Sequence, residues 1–288
     1  MITGKTKICA LIGDPVEHTM SPAMHNAAFK KLGLDYVYIP FRVKPAELAD
    51  AVAGLRALGV RGFNVTIPHK VSIIPLLDNL DPLAEKIGAV NTVVHDSGSL
   101  KGYNTDAEGF LRALAGKGIE PRDKNIVVLG AGGASRAISY ILTENGARLT
   151  ILNRKLELSW AEDIARLIRK ELRRKIKVGE LNRHILSSAL EKADILVNAT
   201  SVGMSPAGYE SPVPAGLLKR RLIVFDIVYN PLMTRLLKEA KAAGARVIGG
   251  VDMLAWQGAL AFEKWTGCPA PVDLMRREAV KILGSYED

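Results

Sequence analysis

Between residues 126 and 152 the chain runs apolar strand, glycine-rich turn, helix, apolar strand. That order dictates a parallel α/β unit. Ile126, Val127, Val128 and Leu129 form a continuous aliphatic run, as in a strand covered on both faces. Gly130-Ala131-Gly132-Gly133-Ala134-Ser135 follows without a break. Residues 134–145 read as a helix, and Gly146 stands where the C′ residue belongs. Residues 149–152 return to an apolar strand. A glycine loop in this context lets the backbone approach a pyrophosphate, whose charge the helix N-terminus stabilises. Ser135, a small residue, takes the third glycine position of the G-x-G-x-x-G pattern.

The end of the second strand selects the dinucleotide. An NAD site carries Asp or Glu about 20 residues past the glycines, on the ribose hydroxyls. Here Asn153-Arg154-Lys155 stand instead. Two cations and no acid favour the 2′-phosphate of NADP.

A second concentration of polar groups lies upstream, in Gly62-Phe63-Asn64-Val65-Thr66-Ile67-Pro68-His69-Lys70. Phe63, Val65 and Ile67 alternate with Asn64 and Thr66, the period of a strand, and Pro68 ends the ladder for want of an N–H. Asn64 and Thr66 are then expected on one face near the strand end, with Lys70 opening the next element. Strand ends are where α/β enzymes gather ligand-binding groups. The bland alternative is an ordinary strand and a solvated lysine. Earlier still, Pro22 suits the first position of a helix with Ser21 as its N-cap. That helix start, with the hydroxyls of Thr19 and Ser21, suits a carboxylate, unless Ser21 only caps.

Further strands are expected at 7–12, 36–43, 88–94, 194–198, 222–228 and 245–248. Helices are expected at 45–58, 107–114, 231–243, 252–265 and 271–283, with a turn at Ser97-Gly98. Strand and helix alternate in the first hundred residues, so this part also reads as α/β. Entry to a second domain falls near 107, and the tail helices are expected to pack back on the first.

Composition narrows the function. The 288 residues allow one large or two medium domains, and 48% hydrophobic with 24% charged residues is the profile of a soluble globular protein. No apolar run is long enough for a membrane span or a signal peptide, so a cytoplasmic protein is expected. Cys9 and Cys268 belong to no Cys/His cluster, so no metal site is expected. Much of the net charge of +9 comes from Arg166, Arg169, Lys170, Arg173, Arg174, Lys175 and Lys177, with Lys219, Arg220 and Arg221 further on; most of the first group falls within a helical pattern around Ile164, Leu167, Ile168 and Leu172. No aromatic residues interleave there, which favours a solvated face over a nucleic-acid surface. No tyrosine is followed four residues later by a lysine, so a Tyr-x-x-x-Lys dehydrogenase site is absent.

Taken together, the motifs resemble those of the shikimate dehydrogenase family along essentially the whole chain. The matching stretches are His18-Thr19-Met20-Ser21-Pro22, Asn64-Val65-Thr66-Ile67-Pro68-His69-Lys70, Gly88-Ala89-Val90-Asn91-Thr92 and Gly102-Tyr103-Asn104-Thr105-Asp106. They continue through Gly130-Ala131-Gly132-Gly133-Ala134, Asn153-Arg154, Asn198-Ala199-Thr200-Ser201-Val202-Gly203-Met204, Tyr229-Asn230-Pro231, and Gly250 with residues 253–257. The resemblance implies an α/β protein of two domains with a cleft between them. An N-terminal substrate domain would comprise 1–106 and about 244–288, and a Rossmann-type NADP domain about 107–243. It implies an oxidoreductase of aromatic amino-acid biosynthesis that reduces 3-dehydroshikimate to shikimate with NADPH.

By the same resemblance Lys70 and Asp106 are the catalytic pair. Thr19, Ser21, Asn64, Thr66, Asn91, Tyr229 and Gln257 join them at the substrate. Gly130, Ala131, Gly132, Gly133, Ala134, Asn153, Arg154, Lys155, Ile227 and Gly250 hold the cofactor. Two positions depart from the family pattern: Thr19 replaces a serine, and Lys155 and Leu158 stand where a threonine and a basic residue are common. The partner expected is a small-molecule substrate, with no nucleic acid and no membrane; a homodimer is allowed. A quinate/shikimate dehydrogenase using NAD or both cofactors, and a non-catalytic NADP-binding regulatory protein, are the alternatives.

Overall fold

The computed structural model describes residues 2–206 and 208–284. It divides into two compact units, one running to Gly109 and resuming over Ala255–Ile282, the other spanning Phe110–Leu254. Each is built on its own six-stranded sheet.

The first sheet has strands β1 (Lys7–Gly13), β2 (Tyr36–Arg42), β3 (Gly62–Val65), β4 (Asn79–Leu80), β5 (Thr92–Asp96) and β6 (Ser99–Tyr103), in the order β2-β1-β3-β5-β6-β4. β1 is parallel to β2 and β3, whereas β5 is antiparallel to β3 and to β6. Ser97 and Gly98, at φ 50° and 84°, make the two-residue turn of the β5–β6 hairpin. This topology has one consequence for chemistry. β1 and β3 end, β5 begins and β6 ends at the same edge of the sheet. Asn64 pairs with Thr92, and Thr92 with Tyr103.

Several boundaries differ from the periodicity. β3 stops at Val65, so Ile67 leaves the sheet and is 59% exposed. Residues 88–91 are not strand: Gly88 is the left-handed terminus of a short helix, α3 (Pro82–Ile87), which Asp81 caps by accepting from the Leu83 N–H. The two-residue β4 carries too little pattern to be read.

The first core packs Ile12, Phe63, Val65, Ile73, Val93 and Leu100 with Leu48, Val52 and Leu55 of the helical segment between β2 and β3. The chain re-enters this unit within α9 (Gly250–Thr266). Trp265 anchors it: the indole Nε1 donates to the Val93 carbonyl at 3.0 Å, and Gly62 has no Cβ to block the ring. The Trp265 carbonyl accepts from Tyr36 Oη at 3.3 Å and Arg61 Nε at 3.0 Å.

The second sheet is wholly parallel. It contains β7 (Asn125–Leu129), β8 (Arg148–Asn153), β9 (Lys177–Glu180), β10 (Ile195–Asn198), β11 (Ile223–Asp226) and β12 (Arg246–Ile248), ordered β12-β11-β10-β7-β8-β9. Read from the other edge, this is the doubly wound dinucleotide order, with its reversal between β7 and β10. The crossovers include α5 (Gly133–Glu144), α6 (Leu158–Leu172), α7 (Arg183–Glu191) and α8 (Arg235–Ala242). β9 and α7 went unread, because the dense charge of 173–177 masks a short edge strand. From sequence the chain returns to the first domain at about 244. Instead β12 pairs with β11, and 244–254 stay with the second unit. The helix expected from 231 starts at Arg235, where Thr234 caps it through the Leu237 N–H.

Thr234 also donates to Asp226 at 2.6 Å. The Asp226 carboxylate, fully buried at the end of β11, accepts in addition from Asn198 Nδ2 at 2.9 Å and the Val228 N–H at 3.1 Å. These bonds favour the charged form, but burial outweighs them and pushes the group up to about 6. A carboxyl raised on folding contributes stability that is complete below its unfolded value and is lost as pH rises through about 6. Unfolding by urea between pH 4 and 7 should show wild type losing on the order of 2–3 kcal/mol relative to Asp226→Asn. A pH-independent difference would contradict this assignment.

Candidate active site

The sheet edge described above collects the predicted catalytic groups. Lys70 Nζ lies 2.6 Å from Asp106 Oδ2, with side-chain exposures of 13% and 5%. A charge-assisted bond of this length, away from water, is a strong one. Three local features place its ends. The Lys70 carbonyl accepts from the Val90 N–H at 2.7 Å, tying the turn after β3 to the segment before β5. His69 Nε2 donates to the Val43 carbonyl at 2.7 Å, so the imidazole anchors that turn and is not aimed at a ligand. Asp106 is the first residue of α4 (Asp106–Ala115), where the positive helix end favours a carboxylate.

Asn91 joins the pair directly. Its Nδ2 donates to Asp106 Oδ1 at 2.9 Å and lies 3.4 Å from Gln257 Oε1, while its Oδ1 accepts from the Thr105 N–H at 2.7 Å. Asn64, 5% exposed, accepts from Tyr38 Oη at 2.7 Å and donates to the Asn91 carbonyl at 3.2 Å. Its side chain is therefore built into the wall of the site. Thr66 sits just past β3, half-buried, with its N–H on the Ile12 carbonyl at 3.0 Å.

Thr19 and Ser21 follow β1, which ends at this edge. Here one expectation is corrected. The N-cap of α1 (Ser21–Lys31) is Met20 and no side chain caps it; Ser21 is the first helical residue. Thr19 Oγ1 accepts from the Ser21 N–H at 3.3 Å. Ser21 therefore does not spend its hydroxyl on a cap, because the chain enters the helix one residue earlier than the motif suggests.

The second unit holds the predicted dinucleotide residues at the carboxyl ends of its strands. Gly130 has φ +93°, and a Cβ there would lie 3.0 Å from the Ala199 carbonyl oxygen, so only glycine fits. Ser135 Oγ donates to the Gly130 carbonyl at 2.6 Å and pins loop to helix; it is buried. At Gly132 the space a Cβ would enter is open, and this residue caps α5 with no side-chain bond. First-turn N–H groups that no side chain caps, beside a position open to a Cβ, fit a phosphate. Ala131 is buried beside them. Gly250 packs on the backbone of Ile227 and Val228, where a Cβ would meet the Val228 oxygen at 2.8 Å. Tyr229 stands in this second unit, half-buried on the loop after β11.

At the end of β8, Asn153 is buried and donates to the Glu157 carbonyl at 2.7 Å. Arg154 and Lys155 are exposed. Arg154 places Nε at 3.1 Å and Nη2 at 2.6 Å from the two oxygens of Glu157. An acid therefore does stand at this strand end, although Asn153-Arg154-Lys155 contain none. It is brought back by a single 3-10 turn, Lys155–Glu157. An ion pair this exposed is weak, so a phosphate dianion can displace it. Gly109 is a second residue that went unread. A Cβ on it would lie 2.8 Å from the Gln257 N, so glycine here admits α9 beside α4. The available signal was a glycine inside an otherwise amphipathic helix. Among the described residues, no cluster of His, Cys, Asp and Glu is arranged to hold a metal, and no helix is long and apolar enough to cross a membrane.

Comparison with known proteins places these features in one family. Residues 11–93 match the shikimate dehydrogenase substrate binding domain, 113–228 the shikimate / quinate 5-dehydrogenase model, and 250–280 the shikimate 5′-dehydrogenase C-terminal domain. The shikimate dehydrogenase (NADP(+)) of Methanopyrus kandleri is 50% identical over 285 residues, 98% of either chain. A crystal structure of a shikimate dehydrogenase in complex with NADP+ superposes with a TM-score of 0.92 at 44% identity over 98% of both chains. The Listeria monocytogenes shikimate 5-dehydrogenase, in complex with shikimate and NAD, gives 0.88 at 43% identity, covering 96% of this chain and 97% of its own. Lys70 and Asn91 fall within the first matched segment, the glycine loop within the second and Gln257 within the third, and identity of this extent leaves one conclusion: the chain belongs to the shikimate dehydrogenase family.

Proposed function

We propose that this chain catalyses the reversible, NADPH-dependent reduction of 3-dehydroshikimate to shikimate. The observation that carries the reading is the buried Lys70–Asp106 pair, 2.6 Å apart and surrounded by amide and hydroxyl groups at one sheet edge. NADPH, when bound, supplies the hydride. The protein must handle one proton and hold a ring carrying several hydroxyls. Lys70 donates its proton to the forming alkoxide and accepts it in the reverse direction. Asp106 holds the ammonium in place and accepts from a substrate hydroxyl. Asn91, Thr66 and Gln257 provide further hydroxyl recognition, with Asn64 supporting them from the wall of the site, and buried polar groups of this kind reject analogues that leave them unpaired. Thr19 and Ser21 take the carboxylate with help from the positive end of α1.

The glycine loop 130–134 cradles the pyrophosphate, and Ile227 and Gly250 make further cofactor contacts. Arg154 and Lys155 take the 2′-phosphate. The Arg154–Glu157 pair supports one second reading, a dehydrogenase that also uses NAD or quinate, since a carboxylate at this strand end is what a ribose 2′-hydroxyl requires.

Initial rates for shikimate and quinate, each with NADP and NAD, separate the two. The highest kcat/KM is expected for shikimate with NADP. Comparable rates with NAD would favour the second reading, and no reduction in any pairing would overturn both. Arg154→Ala should lower kcat/KM for NADP by roughly tenfold or more and leave that for NAD nearly unchanged. Glu157→Gln should raise the preference for NADP. Equal losses for both cofactors in Arg154→Ala would remove Arg154 from phosphate recognition.

A further inference from the structure

We infer that Tyr38 and Thr92 are positioning residues for the Lys70–Asp106 pair, fixing Asp106 through a hydrogen-bond chain that runs in one direction. The inference rests on the proposed role of that pair. The chain passes from Tyr38 Oη to Asn64 Oδ1 at 2.7 Å and from Asn64 Nδ2 to Thr92 Oγ1 at 3.0 Å. It continues from Thr92 Oγ1 to Asn91 Oδ1 at 3.1 Å and from Asn91 Nδ2 to Asp106 Oδ1 at 2.9 Å. Tyr38 is 2% exposed, Asn64 5%, Thr92 0%, Asn91 2% and Asp106 3%, so water does not substitute for any link.

The direction is set by groups that can play only one part. Asn91 Oδ1 faces the Thr105 N–H at 2.7 Å, which can only donate, so its Nδ2 is the atom facing Asp106. Asn64 Nδ2 faces the Asn91 carbonyl at 3.2 Å, which can only accept, so its oxygen faces Tyr38. With both amides oriented, the Tyr38 hydroxyl must donate. Thr92 must accept from Asn64 and pass its own proton on toward Asn91 Oδ1 or the Thr105 hydroxyl, 3.3 Å away. Each donor is thus aligned toward the carboxylate, and aligned bonds polarise one another.

The two oxygens of Asp106 have different tasks. Oδ2 meets Lys70, and Oδ1 is held by Asn91. A carboxylate fixed at Oδ1 cannot rotate to follow the ammonium, so the chain sets where Lys70 Nζ rests. The far end is rigid as well: the Tyr38 ring stacks on His25 at 4.5 Å between centroids and lies 5.9 Å from Trp265. His25 is fully buried, and burial pushes it down to about 3, so it adds no charge there.

Thr92→Val keeps the shape of the side chain and removes one link. Asn91 Oδ1 retains the Thr105 N–H and Asn64 Nδ2 retains the Asn91 carbonyl, so the fold has partners left. Steady-state shikimate oxidation with NADP, with thermal midpoints measured alongside, tests the inference. Thr92→Val should lower kcat roughly tenfold with KM for shikimate within about twofold, and Thr92→Ser should restore kcat to within about twofold. Tyr38→Phe, further from the carboxylate, should lower kcat by about threefold, again without a matching rise in KM. A wild-type kcat in both Thr92→Val and Tyr38→Phe, a loss confined to KM, or a Thr92→Ser as impaired as Thr92→Val would overturn it. Should Thr92→Val fail to fold, Tyr38→Phe decides alone: a wild-type kcat, or a loss confined to KM, in that variant would overturn the inference. Failure of the underlying reading looks different: wild type itself would not reduce NADP with shikimate.

Discussion

A lysine and an aspartate held 2.6 Å apart and nearly out of water constrain everything around them in the first unit. Removing two charges from solvent is costly unless the geometry is good and the remaining lone pairs are satisfied. The structure meets that cost with the N-terminus of α4, the Asn91 amide and a sheet topology that brings four strand ends to one edge. Reversal at β5 is what places Asn91 and Thr92 beside the end of β3 and sends β6 back toward Asp106.

The second unit solves a different problem by a simpler means. Its parallel strands all end on one side, and glycine gives the backbone room there. Gly130 allows the loop after β7 to pass close to Ala199, Gly132 leaves space open at the start of α5, and Gly250 lies flat on the Ile227–Val228 backbone. Asp226, linking Asn198, Val228 and Thr234, ties the ends of β10 and β11 to the start of α8. The loops that would surround a dinucleotide are thus held from beneath by a buried carboxyl.

Legibility in the sequence followed the range of the interaction. The α5 helix and its flanking strands were plain, since a continuous apolar run, a glycine loop and a C′ glycine are local signals. Lys70 was legible from the end of its strand, but its pairing with Asp106 came only from recognised motifs; nothing local indicates that residues 36 apart in sequence make an ion pair. Ser21 was misplaced as a cap because Ser-Pro is compatible with a helix beginning at either residue. Glu157 was overlooked because the rule examines the strand end itself, and a 3-10 turn brings the acid back from beyond it. The Tyr38–Thr92 connection spans β2 to β5 through side chains alone, and no periodicity reports that.

The central claim is that Lys70 acts on the reacting proton and is not merely a contact for the substrate. The most direct measurement is Lys70→Ala, with kcat for shikimate oxidation and the Kd for shikimate determined independently by calorimetry. The account predicts that kcat falls by roughly a hundredfold or more while Kd changes only a few-fold, the pattern of a group needed in the transition state. A near-normal kcat, or a loss carried wholly by Kd, would contradict it.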